Sequence, residues 1–129
     1  MSERVRKELI RSMSKSLEIV SSATLRGVRV SPRKARLVAD MVRGEFAGEA
    51  LRRLQFCRKK SAPLLQSLLM SAVANAKDRH ELDVDSLVVA EIRVDMGRSL
   101  KRHLPRAQGR ASNIKKRSSH ITIGLGVAA

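Results

Sequence analysis

The sequence predicts an α+β domain that carries a two-stranded basic arm, and three features of the 129-residue chain point to it. β-rich runs stand at residues 24–30, 87–94 and 120–125. Between the first two lie apolar stripes at helical spacing. Between the last two lies a stretch of 25 residues that has no carboxylate beyond Asp95 and is rich in Lys and Arg. A chain of this length makes one domain with room for an appendage.

Residues 1–22 read as the appendage. Val5, Leu9, Met13, Leu17 and Val20 recur every three to four residues between basic ones. That is the stripe of an amphipathic helix; the other expectation is an extension without fixed structure. The domain itself is expected over 24–129, with 1–23 outside it.

Residues 24–30 switch to partial alternation, Val28 and Val30 on one side and Arg29 on the other, as in a short strand. Ser31-Pro32 then supplies a helix start, a hydroxyl at the N-cap and proline at the first helical position. This helix should run to Arg43, stop at Gly44 and turn Leu37, Val38, Met41 and Val42 inward. Arg33, Lys34 and Arg36 crowd its first turns, where cations oppose the helix dipole; phosphate nearby would reverse that penalty.

A second helix is expected over 48–57, with Ala50, Leu51 and Leu54 inward. Arg58-Lys59-Lys60 precedes a third and stronger one, with Pro63 in its first turn and a wide stripe of Leu65, Leu68, Leu69, Ala72, Val73 and Ala76. Ala72, Ala74 and Ala76 are small enough to admit another element closely. These stripes are core. Residues 78–85 hold four of the twelve acids and read as a solvated loop. Residues 87–94 are apolar and β-branched, and 120–125 alternate Ile121, Ile123 and Leu125 against Thr122, so both read as strands.

The chain has 27 basic and 12 acidic residues, a net charge of +15. Self-repulsion of this size disfavours a compact state unless a polyanion is bound, and each phosphate contact also releases condensed counterions. The charge is segregated. All twelve acids lie at or before Asp95, and eight basic residues fall after it, which leaves 19 against 12 in the first 95.

Several chemistries find no residues to carry them. Cys57 stands alone, so no disulfide forms and a reducing compartment, the cytoplasm, is expected. No apolar run approaches the roughly 20 residues of a membrane span, and no signal-peptide core is present. His80, His103 and His120 are scattered, without metal-ligand spacing. There is no Gly-rich phosphate loop and no nucleophile elbow. Hence no enzyme, no metal and no cofactor are expected. Phe46 and Phe56 are the only aromatics, too few for the stacking surfaces of common single-strand-binding modules. What remains is recognition of phosphate and shape in a structured nucleic acid.

The carboxylate-free segment carries Arg98, Lys101, Arg102, Arg106, Arg110, Lys115, Lys116 and Arg117 among glycines, Pro105 and small polar residues. It cannot bury enough apolar surface to fold by itself. As a hairpin continuing its flanking strands, each limb of about twelve residues would reach roughly 40 Å, against a body about 30 Å across. Gly97 and Gly109 would permit close backbone approach to a phosphate.

The chain resembles the L-twenty-two family of bacterial large-subunit ribosomal proteins. The likeness rests on Val30-Ser31-Pro32-Arg33-Lys34-Ala35-Arg36-Leu37-Val38-Ala39, then Arg43-Gly44, Lys59-Lys60 and Ser71-Ala72-Val73-Ala74-Asn75-Ala76. It closes on Val94-Asp95, Lys101-Arg102, Pro105-Arg106-Ala107-Gln108-Gly109-Arg110-Ala111 and Lys116-Arg117-Ser118-Ser119-His120-Ile121-Thr122-Ile123. The resemblance implies a three-stranded antiparallel sheet packed on three helices, with a long protruding β-hairpin. It implies a monomer within the ribosome, bound to large-subunit rRNA and neighbouring ribosomal proteins. The hairpin would line the nascent-peptide exit tunnel and meet the passing chain.

Arg29, Ser31, Arg33, Lys34, Arg36, Lys59, Lys60 and His120 are then the expected RNA contacts of the body, with the eight basic residues of the arm. Lys101, Arg102, Leu104, Pro105, Arg106, Gln108, Gly109 and Arg110 would form the tunnel-side tip. The chain departs from the family at Arg98, where members often have proline, and residues 1–23 exceed the usual N-terminus. Two other classes fit the charge: a nucleoid DNA-architectural protein, which usually carries an apolar wedge at its arm tip, and a cationic membrane-surface protein, for which only residues 1–22 offer a helix.

Overall fold

Strand β5 (Ser119–Val127) is the middle of a three-stranded antiparallel sheet, in a computed structural model that describes residues 2–14 and 17–127. Strand β1 (Ile19–Val28) pairs along one edge of it and β2 (Leu87–Met96) along the other. Ile121, Ile123 and Leu125 are buried on one face, as their two-residue period predicts.

Three helices cover that face. Helix α2 (Pro32–Val42) packs on β2, α4 (Ser61–His80) on β1 and β5, and α3 (Ala47–Phe56) on α4. A further helix, α1 (Glu3–Ser14), precedes them, so the described residues hold four helices where three were expected. The α4 stripe is buried throughout, from Leu65 to Ala76, each large side chain contributing roughly 1.5–3 kcal/mol. Ala72 is a close-approach point: the Ser21 hydroxyl donates to its carbonyl at 2.9 Å. Ala74, by contrast, is exposed.

Helix α2 corrects the predicted inner face. Ala35, Val38, Ala39 and Val42 are buried, whereas Leu37 is 60% and Met41 42% exposed. The buried set follows the i, i+3, i+4, i+7 pattern, and its alanines allow close approach to the sheet. Side-chain size alone therefore does not mark the inner face of this helix. The predicted 78–85 loop is shorter, because α4 continues to His80 and stops at Glu81, a left-handed residue with φ 52°.

The extension also differs from expectation. β1 starts at Ile19 rather than Thr24 and ends at Val28. Leu17 and Ile19 lie over Gly126 and Gly124 on the outer sheet face, where an added β-carbon would meet them at 3.0 and 3.1 Å. Val5 and Leu9 are exposed on α1, whereas Leu17 and Val20 are half-buried and Val20 packs on the core, so the predicted stripe is covered only at its end; the side chain of Met13 lies outside the described residues.

β2 is an edge strand with an irregularity between Val89 and Glu91. The bulge shifts the alternation, so that Leu87, Val89, Ile92 and Val94 all join the core. Its outer edge is closed by non-strand groups. Arg36 donates to the Val94 carbonyl from Nε and Nη2 at 3.3 and 3.0 Å, and Arg43 donates to the Ile92 carbonyl at 3.0 Å. The Gly44 amide donates to the Val89 carbonyl at 3.0 Å, and the Val89 amide to the Glu45 carbonyl at 2.9 Å. A bare edge would template intermolecular pairing.

Candidate nucleic-acid interface

Three separated segments converge on one basic cleft. Arg29, Val30, Ser31, Lys34, Leu37, Lys59, Lys60 and Ser61 line a cleft of about 410 Å³. The bend after β1 supplies Arg29, the N-cap and first turn of α2 supply Ser31 and Lys34, and the segment before α4 supplies Lys59 and Lys60. Lys60 Nζ donates to the Arg29 carbonyl at 3.4 Å, linking two of these walls. Ser31 occupies the N-cap with extended backbone, yet its side chain makes no capping bond. The amides of Arg33 and Lys34 are therefore left without that cap, at the helix end where the dipole favours an anion.

The arm lies between β2 and β5. Strands β3 (Leu100–Pro105) and β4 (Ala111–Lys116) form a separate two-stranded antiparallel ribbon. It does not continue the sheet without a break, because residues 97–99 and 117–118 leave the ladder. Each limb thus pairs over six residues rather than about twelve. All of β3 is exposed, and neither strand packs extensively on anything but the other.

At the ribbon's base the Gly97 amide donates to the Ser118 carbonyl at 2.8 Å, and the Ser118 hydroxyl donates to the Arg98 carbonyl at 2.6 Å. The Ser119 hydroxyl donates to the carbonyl of Val30, a residue of the cleft wall. Cleft and ribbon are therefore joined. At the tip, Gln108 and Gly109 are both left-handed, φ 61° and 70°, and the Arg106 amide donates to the Arg110 carbonyl at 2.6 Å. Gly97 is not open for a phosphate as predicted, since Ser118 already fills that space; Gly109 has open space around it.

The register divides the ribbon's side chains between two faces. Leu100, Arg102 and Leu104 share one face with Ser112, Ile114 and Lys116, whereas Lys101, His103 and Pro105 share the other with Ala111, Asn113 and Lys115. Lys101 directly opposes Lys115, and like charges so placed destabilise a free ribbon.

Not every expected RNA residue joins this surface. Arg36 is engaged on the β2 edge. His120 lies on the outer sheet face, where Nδ1 accepts the Gly27 amide at 3.0 Å. There it lines a second hollow of about 420 Å³ with Thr24, Arg26, Arg93, Asp95 and Thr122. Only strand register brings Arg26 and Arg93 together, so the sequence alone does not mark them as neighbours. Arg33, Arg98, Arg106, Arg110, Lys115, Lys116 and Arg117 are exposed.

Among the described residues the ion pairs are Arg43–Asp40, Arg53–Glu3, Arg53–Glu45 and Arg93–Glu91. No basic residue of the cleft or ribbon is in one. Nor do three His, Cys, Asp or Glu side chains converge to hold a metal among the described residues. No helix there is long and apolar enough to cross a membrane.

Residues 23–126 match a family model described as ribosomal protein L22p/L17e. The large ribosomal subunit protein uL22 of Oceanobacillus iheyensis is 48% identical over 103 residues, covering 80% of this chain and 91% of that protein.

Proposed function

Because the chain belongs to the ribosomal protein L22p/L17e family, a family of structural and non-enzymatic components of the large ribosomal subunit, we propose that it binds large-subunit rRNA through the cleft and the ribbon together. The observation that carries this is the convergence of Arg29, Lys34, Lys59 and Lys60 on one cleft, none of them with a carboxylate partner among the described residues. Phosphate is the natural occupant, since it neutralises the cations beside the N-terminus of α2, where the dipole favours an anion.

The ribbon extends the same surface. From Gly97 to the tip each limb has about ten residues, roughly 30 Å at 3.3 Å per residue. Inside folded RNA the opposed lysines gain counter-charge and the ribbon gains order. In keeping with the family resemblance, its tip, from Lys101 to Arg110, lines the nascent-peptide exit tunnel, where it meets the transient chain. The protein acts in the cytoplasm as one copy per large subunit, beside other ribosomal proteins, and supports subunit assembly. Residues 24–129 form the rRNA-binding domain, with 1–23 appended to it.

A DNA-architectural role is disfavoured by the tip. Beyond Leu104 and Pro105 it is basic or small, which leaves little to wedge between base pairs. Sucrose-gradient fractionation in high salt tests the assignment. The protein is expected with large subunits; absence from those fractions, or equal affinity for duplex DNA and large-subunit rRNA, overturns it.

A further inference from the structure

Phe56 is the last residue of α3 and is 77% exposed, more than any other large apolar side chain among the described residues. The chain's other aromatic, Phe46, is half-buried at the opposite end of the same helix and bridges to Val88 at the sheet edge. Phe46 thus has a place in the fold, while the ring of Phe56 is offered to solvent.

The chain that follows it carries one sign of charge. Between Glu49 and Asp78 the chain has six basic residues and no carboxylate. Arg52 is exposed one turn before Phe56, where it lines a hollow with Glu49 and Asp85, so the cations left to a ligand at the ring are those that follow it. Arg58 follows two residues after it, and Lys59 and Lys60 continue into the basic cleft. Glu49, the nearest acid on α3, is two turns back, about 10 Å along the axis.

We propose that Phe56 is a stacking platform for one unpaired nucleobase, with the adjoining phosphates held by Arg58, Lys59 and Lys60. This rests on the rRNA-binding role proposed above. A nucleotide brings an aromatic face and an anion in one unit, which matches an exposed ring set among cations. An apolar protein pocket closing over the ring would instead desolvate Arg58 and Lys59 without neutralising them. The platform supplies affinity that does not depend on salt, beside the salt-dependent phosphate binding of the cleft.

The test uses the full chain and in vitro transcribed large-subunit rRNA, with Phe56→Ala, Phe56→Leu and Phe56→Tyr. Phe56→Ala is expected to weaken binding by roughly 5- to 150-fold while leaving the salt slope unchanged, since every phosphate-binding cation is still in place. Phe56→Tyr keeps the affinity. Phe56→Leu, apolar but without a π face, behaves as Phe56→Ala, and all three melt with the unaltered chain because the ring is exposed. Wild-type affinity in Phe56→Leu or in Phe56→Ala overturns the stack. So does a Phe56→Ala protein that binds naked rRNA normally but enters subunits poorly, which would assign the ring to a protein neighbour. If the unaltered chain fails to bind this rRNA, the rRNA role falls and the stack with it. If it binds, and Lys59→Ala with Lys60→Ala weakens it while Phe56→Ala does not, the stack alone falls.

Discussion

Gly97 and Ser118 meet so closely at the base of the ribbon that a β-carbon on Gly97 would lie 2.5 Å from the Ser118 hydroxyl oxygen and 3.2 Å from its carbonyl carbon and oxygen. The glycine is required by space here, not by a left-handed backbone. Gly97→Ala is expected to destabilise the protein by about 1–3 kcal/mol, as overpacking does, seen as a lower melting temperature. Ser118→Ala alone removes the bond to Arg98 and costs about 1 kcal/mol. The double variant should be less destabilised than the sum, because the nearest obstacle is gone. Strict additivity would mean the two residues do not compete for one space.

The arginines on the edge of β2 separate folding from binding. Arg36→Ala leaves the Val94 carbonyl without its donor and is expected to cost about 1–2 kcal/mol in free protein, with aggregation rising as the edge opens. Lys34→Ala, two residues earlier and in the cleft, should leave the stability within about 0.5 kcal/mol of wild type and weaken RNA binding. Thermal melts and filter binding on both variants check this. The reverse pattern would assign Arg36 to RNA and Lys34 to the fold.

The tip turn depends on conformation alone. Gly109 has φ 70° and nothing within 4 Å of an added β-carbon. Gly109→Ala should therefore cost the ribbon about 1 kcal/mol, the penalty of a left-handed residue, while Gly109→Asn costs less because Asn tolerates that region. Cross-strand NOEs between β3 and β4 report the change. Equal spectra for both variants would contradict it.

Charge on the ribbon sets free-state order against binding. Lys115→Glu replaces a like-charge pair with Lys101 by an opposite one, worth about 0.2–1 kcal/mol to the isolated ribbon, and NMR should show it better ordered. The same change weakens rRNA binding. Replacing Lys101, Arg102, Arg106 and Arg110 with Ala should flatten the salt dependence by up to about 0.7–0.9 for every phosphate no longer neutralised, with the helical signal intact. An unchanged slope would mean these side chains do not touch phosphate.

Much of this architecture is written locally. Residues 120–125 alternate strictly and fall within β5; Ser31-Pro32 and Gly44 bracket α2; the α4 stripe is buried residue for residue. The departures are non-local. Ser21, Ser22 and Ala23 have little strand propensity, yet β1 includes them because β5 offers a ladder and Ala72 accepts the Ser21 hydroxyl. The inner face of α2 is set by how closely a helix can approach β2, which its own sequence does not contain. The site follows the same division. Each basic residue of the cleft was visible as a charge. That Arg29, Lys34 and Lys60 share a cleft, while Arg36 turns away to a strand edge, depends on packing between segments far apart in the chain.

Cations from three segments acting as one phosphate-binding cleft are the centre of the proposed role. The direct measurement is the slope of log affinity against log salt for large-subunit rRNA, comparing the unaltered chain with a variant in which Arg29, Lys34, Lys59 and Lys60 are Ala. The slope is predicted to fall by about 0.7–0.9 for each phosphate the variant leaves unneutralised, at an unchanged melting temperature. A variant with the slope and affinity of the unaltered chain would contradict it.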